Sequence, residues 1–186
     1  MRAAIIGLVL ALTAVCLGGC YASDSLLLDA DAAVHPLEDG VYMRDGDAKG
    51  GAAPNPGEGG GWRLTLDADG WYEVERLAAN GAAGQTGRVL LNPMDAIAGH
   101  TAYAAATQTD RGFAYAVIVT DGPRVFLAAP DCADPLDRSL AVDQGAQTPD
   151  DDPMTPSCDF KTKAALTAAL ADFAGQAEFG RPYLKR

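Results

Sequence analysis

The sequence predicts an α+β domain that is mostly β: an antiparallel meander sheet of about six or seven strands, curved or partly closed into a barrel, with one carboxyl-terminal helix packed on it. Three features support this prediction. Apolar and polar residues alternate in several short stretches, Asp-Gly and Arg-Gly dipeptides separate those stretches, and one segment near the carboxyl end has helical periodicity. The length is typical of one domain, which we place at residues 36–186.

The first predicted strand covers residues 41–44 and leads into a glycine-rich loop. Residues 46–61 contain seven glycines and two prolines, a composition that favours a flexible surface excursion. A phosphate-binding loop is excluded, because no Gly-Lys-Ser/Thr sequence ends the run and no strand leads directly into a helix there.

The clearest local pattern is a hairpin at residues 62–76, where apolar and polar residues alternate on both sides of an Asp-Gly turn. A two-residue turn would place Leu66 opposite Glu73 and mix the two faces of the hairpin. A three-residue loop at 68–70 places Leu66 opposite Tyr72 and keeps the apolar face continuous. We therefore expect the longer loop, with its glycine in the left-handed conformation. An EF-hand is excluded, because the spacing lacks the acidic ligands that it requires.

Further strands are predicted in the second half of the chain, at residues 88–91, 101–108, 113–120 and 124–129. Asn92-Pro93 is expected to end the first of them. The 113–120 strand is apolar on both faces, which is typical of a strand covered on both sides.

A helix at residues 162–177 would supply part of that cover. Leu166, Leu170 and Phe173 recur at helical spacing, and Thr162 is positioned to cap the first turn.

The amino-terminal residues have the pattern of a cleaved leader. Arg2 precedes an uncharged apolar stretch at residues 3–17, and Leu17-Gly18-Gly19-Cys20 closes it. This end resembles the lipobox of bacterial lipoproteins. The resemblance implies that residues 1–19 are removed and that Cys20 becomes the first residue, with a diacylglyceryl group on its sulfur and usually an acyl group on its amine. Plain secretion and a retained span remain as alternatives, although a span requires about 20 apolar residues.

The resemblance also implies a cellular location and contact with a membrane. The lipid would attach the protein to a membrane, and residues 20–35 would form a tether. Tyr21 follows the cysteine where inner-membrane lipoproteins of enteric type carry aspartate. The periplasmic face of the outer membrane is therefore favoured over the inner membrane.

The remaining cysteines are expected to form a disulfide. Cys16 leaves with the leader and Cys20 carries lipid, so Cys132 and Cys158 are the only thiols left in an oxidising compartment. Their bridge would contribute about 3.5 kcal/mol on the chain-entropy estimate. Two buried free thiols are the alternative. The enclosed segment is rich in proline and aspartate and is not expected to hold itself in place.

Composition excludes some classes of function. The formal net charge is −11, with 20 Asp and 5 Glu, so binding to nucleic acid is not expected. Only His35 and His100 are present, too few for a three-histidine metal site. A calcium site at residues 150–152 is a weaker interpretation than a solvated charge run.

We predict no catalytic, cofactor-binding or metal-binding residues and no cofactor. The expected function is a non-enzymatic envelope role in scaffolding, partner binding or sensing, with an envelope protein as the partner. A small hydrophobic ligand bound on the sheet is the alternative, and a hydrolase using His100 and aspartates is a lesser one. Trp71 falls on the outer face of the hairpin and marks either a partner or ligand surface or the site where the glycine-rich loop folds over it.

A second resemblance covers only residues 38–76. This strand and hairpin are similar to those of small β-barrel lipoproteins that monitor envelope and copper stress. Those proteins carry a Cys-x-x-Cys pair near the first strand, which this chain lacks. Their metal and redox properties are therefore not expected here.

Overall fold

The computed structural model describes residues 21–45, 60–78, 80–149 and 156–186. Within these ranges the chain forms ten strands and two α-helices. The strands are β1 (Tyr21–Ser23), β2 (Gly40–Arg44), β3 (Gly61–Leu66), β4 (Tyr72–Leu77), β5 (Ala83–Ile97), β6 (His100–Thr109), β7 (Gly112–Asp121), β8 (Arg124–Ala128), β9 (Cys158–Asp159) and β10 (Tyr183–Lys185). The helices are α1 (Pro135–Asp143) and α2 (Lys163–Gln176).

Eight of the strands form a closed antiparallel barrel, in the ring order β2-β3-β4-β5-β6-β7-β8-β10. The ring closes because β10 pairs with both β8 and β2. The predicted mostly-β antiparallel class is confirmed, but the prediction of six or seven strands in a partly closed sheet is wrong. The closing strand has only three residues, too few for a period of two to be recognised in the sequence.

Alternate residues of the strands build two apolar layers. Inside the barrel, Tyr42, Tyr72, Leu91 and Tyr103 pack with their neighbours into one buried cluster. Outside it, the opposite face of the sheet packs against α2, which contacts β5 and β7, and α1 packs against α2 and β9. The strand predicted at 113–120 is β7, and it is covered on both faces as expected.

The hairpin of β3 and β4 has the predicted register. Leu66 pairs with Tyr72 and Leu64 with Val74, which leaves the three-residue loop at 68–70. Gly70 has φ +78°, in the left-handed region. Both predictions about this turn are therefore confirmed, because the need to keep one face apolar fixes the register.

Strand β5 is much longer than predicted. It runs through Asn92-Pro93, where the sequence indicated a stop, and extends in both directions to Ala83–Ile97. Beyond Val89 it pairs only with β6, so among the described residues no strand lies along its other edge. Proline is tolerated on such an edge, because its missing N–H is not needed for the ladder.

The carboxyl-terminal helix forms where it was predicted, and Thr162 caps it by accepting a hydrogen bond from the Ala165 N–H. The earlier helix α1 was not predicted. Asp134 accepts hydrogen bonds at its start and Pro135 occupies its first turn, a strong start signal inside a segment that we expected to be irregular. Residues 150–155 of that segment and the glycine-rich loop at 46–59 lie outside the described residues.

The expected tether at residues 20–35 differs from the structure, which describes it from Tyr21 onwards. Tyr21–Ser23 is a strand that pairs antiparallel with β7 and parallel with β9. Further along, Leu28 is buried in the outer cluster and the Val34 N–H donates to the Leu91 carbonyl. A run of leucines with no clear alternation supplies the apolar surface that fixes this segment to the barrel.

Candidate functional site

The outer surface of β3, β4 and β5 carries a polar groove of about 390 Å³. Cross-strand pairing aligns Arg63 with Glu75, and Glu73 with Arg88, while the alternating residues point into the barrel. We call this outward surface, together with the adjoining edge of β5, the β3–β5 face. Its outward side chains are those of Arg63, Thr65, Glu73, Glu75, Thr86 and Arg88.

Ion pairs hold the side chains of both arginines of this face. Arg63 pairs with Glu75, and Arg88 pairs with Asp67 and lies 3.5 Å from a carboxylate oxygen of Asp69. The hydrogen bond from the Trp71 N–H, followed by that from Arg88, lowers the pKa of Asp67 below its usual value. The hydrogen bond to Asp67 in turn raises the pKa of Arg88. The charges of the groove are therefore largely neutralised within the chain.

Trp71 lies at one end of the face and is half-buried. The Arg88 guanidinium carbon lies 5.2 Å from the centre of its ring, and the Phe113 ring centre is 6.4 Å away. The indole packs against the outer apolar cluster. That Trp71 marks a partner or ligand surface stays a prediction. The structure adds that its ring lies beside Arg88 and Phe113.

The first half of β5 presents an open sheet edge. Residues 83–89 pair with β4 on one side, but pairing with β6 begins only at Val89. In the described part of the chain, residues 83–88 therefore have no strand on their other side. Residues 83–87 are Ala-Gly-Gln-Thr-Gly, without the charges or proline that commonly protect such edges. Residues 83–86 are also exposed to solvent.

The barrel interior offers little room. Buried side chains fill it, as is usual for eight strands, and burial raises the pKa of Tyr42 and of Tyr72, which keeps their hydroxyls neutral. A space of about 40 Å³ lies at one end, lined by residues that include Arg44, Trp62 and Tyr183. A water needs about 10–15 Å³ by this measure, so this space has room for a few waters.

The other candidate residues from the sequence lie apart from the β3–β5 face. His100 is exposed at the start of β6, with its Nδ1 3.7 Å from a carboxylate oxygen of Asp121. His35 contacts the Gly70 carbonyl through Nε2 at 3.1 Å. No group of three or more His, Cys, Asp or Glu side chains within the described ranges is placed to hold a metal ion. Cys20 and the aspartates at 150–152 fall outside those ranges.

Cys132 and Cys158 lie together in the outer cluster as a disulfide. Their Cα atoms are 5.9 Å apart, and both side chains are fully buried. The bond connects the segment that follows β8 with β9, which lies beside β1. None of the helices that the structure describes is both long enough and apolar enough to cross a membrane.

Sequence reasoning missed the open edge. The sequence AANGAAGQTG at residues 78–87 predicts a flexible patch, whereas residues 83–87 belong to β5 in the structure. No protein-family model matches this chain, and no curated protein and no solved structure matches it either. The case for a function therefore depends on the site itself.

Proposed function

We propose that this chain is a lipid-anchored, non-enzymatic protein of the bacterial cell envelope, which binds an extended segment of a partner protein at the β3–β5 face. The observation that carries the proposal is the edge of β5 at residues 83–87 beside the groove, which has no protecting charge or proline and no neighbouring strand among the described residues. An extended segment added to such an edge satisfies its backbone groups, while the neighbouring side chains give selectivity. The lipid anchor rests on the Leu17-Gly18-Gly19-Cys20 motif.

Binding of an extended segment by backbone pairing is compatible with the charges of the β3–β5 face. The Arg63–Glu75 and Arg88–Asp67 pairs leave few unpaired charges to attract a highly charged ligand. Backbone pairing needs no such charges, because the peptide groups of the strand supply both donors and acceptors. The chain's formal charge of −11 also disfavours an acidic partner.

The test is site-specific photocrosslinking in the native envelope. A photoreactive amino acid at Thr86 is expected to give one discrete adduct, whereas the same amino acid at Ser139, exposed on α1, is the control and should give none. Gln85→Lys places a charge on the edge and should remove the Thr86 adduct. Gln176→Lys, exposed at the end of α2, should leave it unchanged. Equal adducts at both positions, or no effect of Gln85→Lys, would contradict edge binding.

A further inference from the structure

The amino-terminal strand begins at the residue next to the proposed lipid. Tyr21 has 0% of its surface exposed, and it pairs with Tyr115 on β7 and with Cys158 on β9. Consecutive Cα atoms of a chain are about 3.8 Å apart. A lipid on Cys20 would therefore be attached within one residue of the folded body.

Side-chain contacts hold this strand in addition to its backbone pairing. The Tyr21 hydroxyl donates to the Asp137 carbonyl at 2.8 Å, and its ring packs against Phe160 at a centroid distance of 5.1 Å. Ser23 is buried, with its hydroxyl 2.7 Å from that of Tyr115. The disulfide at Cys158 fixes the strand on the other side. Residues that are buried and paired in this way do not act as a tether.

The register of β1 fixes where the lipid would emerge. Because β1 is antiparallel to β7 and starts at Tyr115, its amino end points towards Ala116 and Val117. Val117 pairs with Ala128, the last residue of β8. The attachment point therefore lies beside the end of β8, on the part of the ring that contains β7.

Strand β3 lies across the barrel from this point. In the ring of eight strands, β3 is four strands from β7 in either direction, whereas β5 is only two strands from β7. We infer that the lipid holds the body directly on the bilayer without a flexible tether, so that the membrane covers the β7–β8 side and the outward surface of β3 points away from it. This inference rests on the anchor of the proposed function and adds to it an orientation.

The surface charge near the attachment point does not supply the orientation. Asp131 and Asp134 are exposed just after β8, so an anionic leaflet would not attract this side. The orientation instead follows from the missing tether, and it should be the same on zwitterionic and on weakly anionic bilayers.

The test uses the full lipidated protein in nanodiscs whose headgroups carry a nitroxide quencher. A fluorescent amino acid is placed either at Ala129, exposed beside the end of β8, or at Thr65, exposed on β3. We expect at least threefold stronger quenching at position 129 than at position 65. A matched variant with 20 Gly/Ser residues inserted between Cys20 and Tyr21 should bring the two values close together.

Mass spectrometry of the same preparation distinguishes a wrong orientation from a missing lipid anchor. If Cys20 carries lipid but positions 65 and 129 are quenched equally without the insertion, the orientation is refuted and the anchor stands. If the native amino terminus carries no lipid, the anchor and the orientation are both refuted.

Discussion

Replacement of Tyr21 tests whether the first residue after the proposed lipid belongs to the folded body. Its side chain is fully buried, contacts Phe160 and Phe173, and donates a hydrogen bond to the Asp137 carbonyl. Replacing a buried aromatic residue by alanine costs about 3–5 kcal/mol. Tyr21→Phe keeps the ring and removes one hydrogen bond, so it should cost about 1 kcal/mol.

The assay is urea unfolding of the unlipidated Cys20→Ser protein with its disulfide intact, followed by tryptophan fluorescence. With a slope of about 2 kcal/mol per M, Tyr21→Ala should lower the midpoint by about 1.5–2.5 M and Tyr21→Phe by about 0.5 M. Leu136→Ala is the control, because that side chain is 53% exposed on α1, and it should change the midpoint little. If the Tyr21→Ala midpoint is as close to the parent's as that of the control, Tyr21 is not part of the folded body. Residues 20–35 would then again be expected to form a tether.

Three further predictions concern other contacts. The double variant Cys132→Ser with Cys158→Ser should lose about 3.5 kcal/mol of stability, measured by the same unfolding, and an unchanged midpoint would contradict the disulfide's role. The hydrogen bond from the Trp71 N–H, and after it that from Arg88, lower the pKa of Asp67, so the ionised carboxylate stabilises the fold above the unfolded pKa, about 3.9, and this contribution is lost as the pH falls through the folded pKa. Asp67→Asn should therefore weaken the acid dependence of the midpoint below about pH 4, and a dependence identical to the parent's would contradict a stabilising role for the carboxylate. Gly112→Ala should destabilise the protein, because its φ is +121° and an added Cβ would lie 2.2 Å from the carbonyl of the last residue of β1; unchanged thermal stability would contradict that close approach.

The sequence was most informative where the polarity of each strand face indicates whether that face is buried. The register of the β3–β4 hairpin followed from the need to place Leu66 opposite Tyr72, and the structure has that register. Strand β7 was recognised because both of its faces are apolar. In both cases apolar residues mark the strand faces that are buried in the structure, so the pattern indicates burial directly.

The barrel's closure and the candidate site were not predictable by the same means. Strand β10 closes the ring with three residues, and its pairing with β2 joins residues about 140 positions apart in the sequence, a contact that no local pattern encodes. Residues 83–87 are strand only because β4 pairs with them, since their glycines lower the intrinsic preference for a strand. Tertiary pairing overrides local propensity at both places.

The central claim is most directly tested by the identity of the native amino terminus. Protein extracted from its own membranes should begin at Cys20, and the mass of its amino-terminal peptide should include the diacylglyceryl group and the amide-linked acyl chain. It should also enter the detergent phase of a detergent–water partition, whereas a Cys20→Ser variant should stay in the aqueous phase. A native chain that begins elsewhere, or that remains in the aqueous phase with an unmodified Cys20 thiol, would contradict the account.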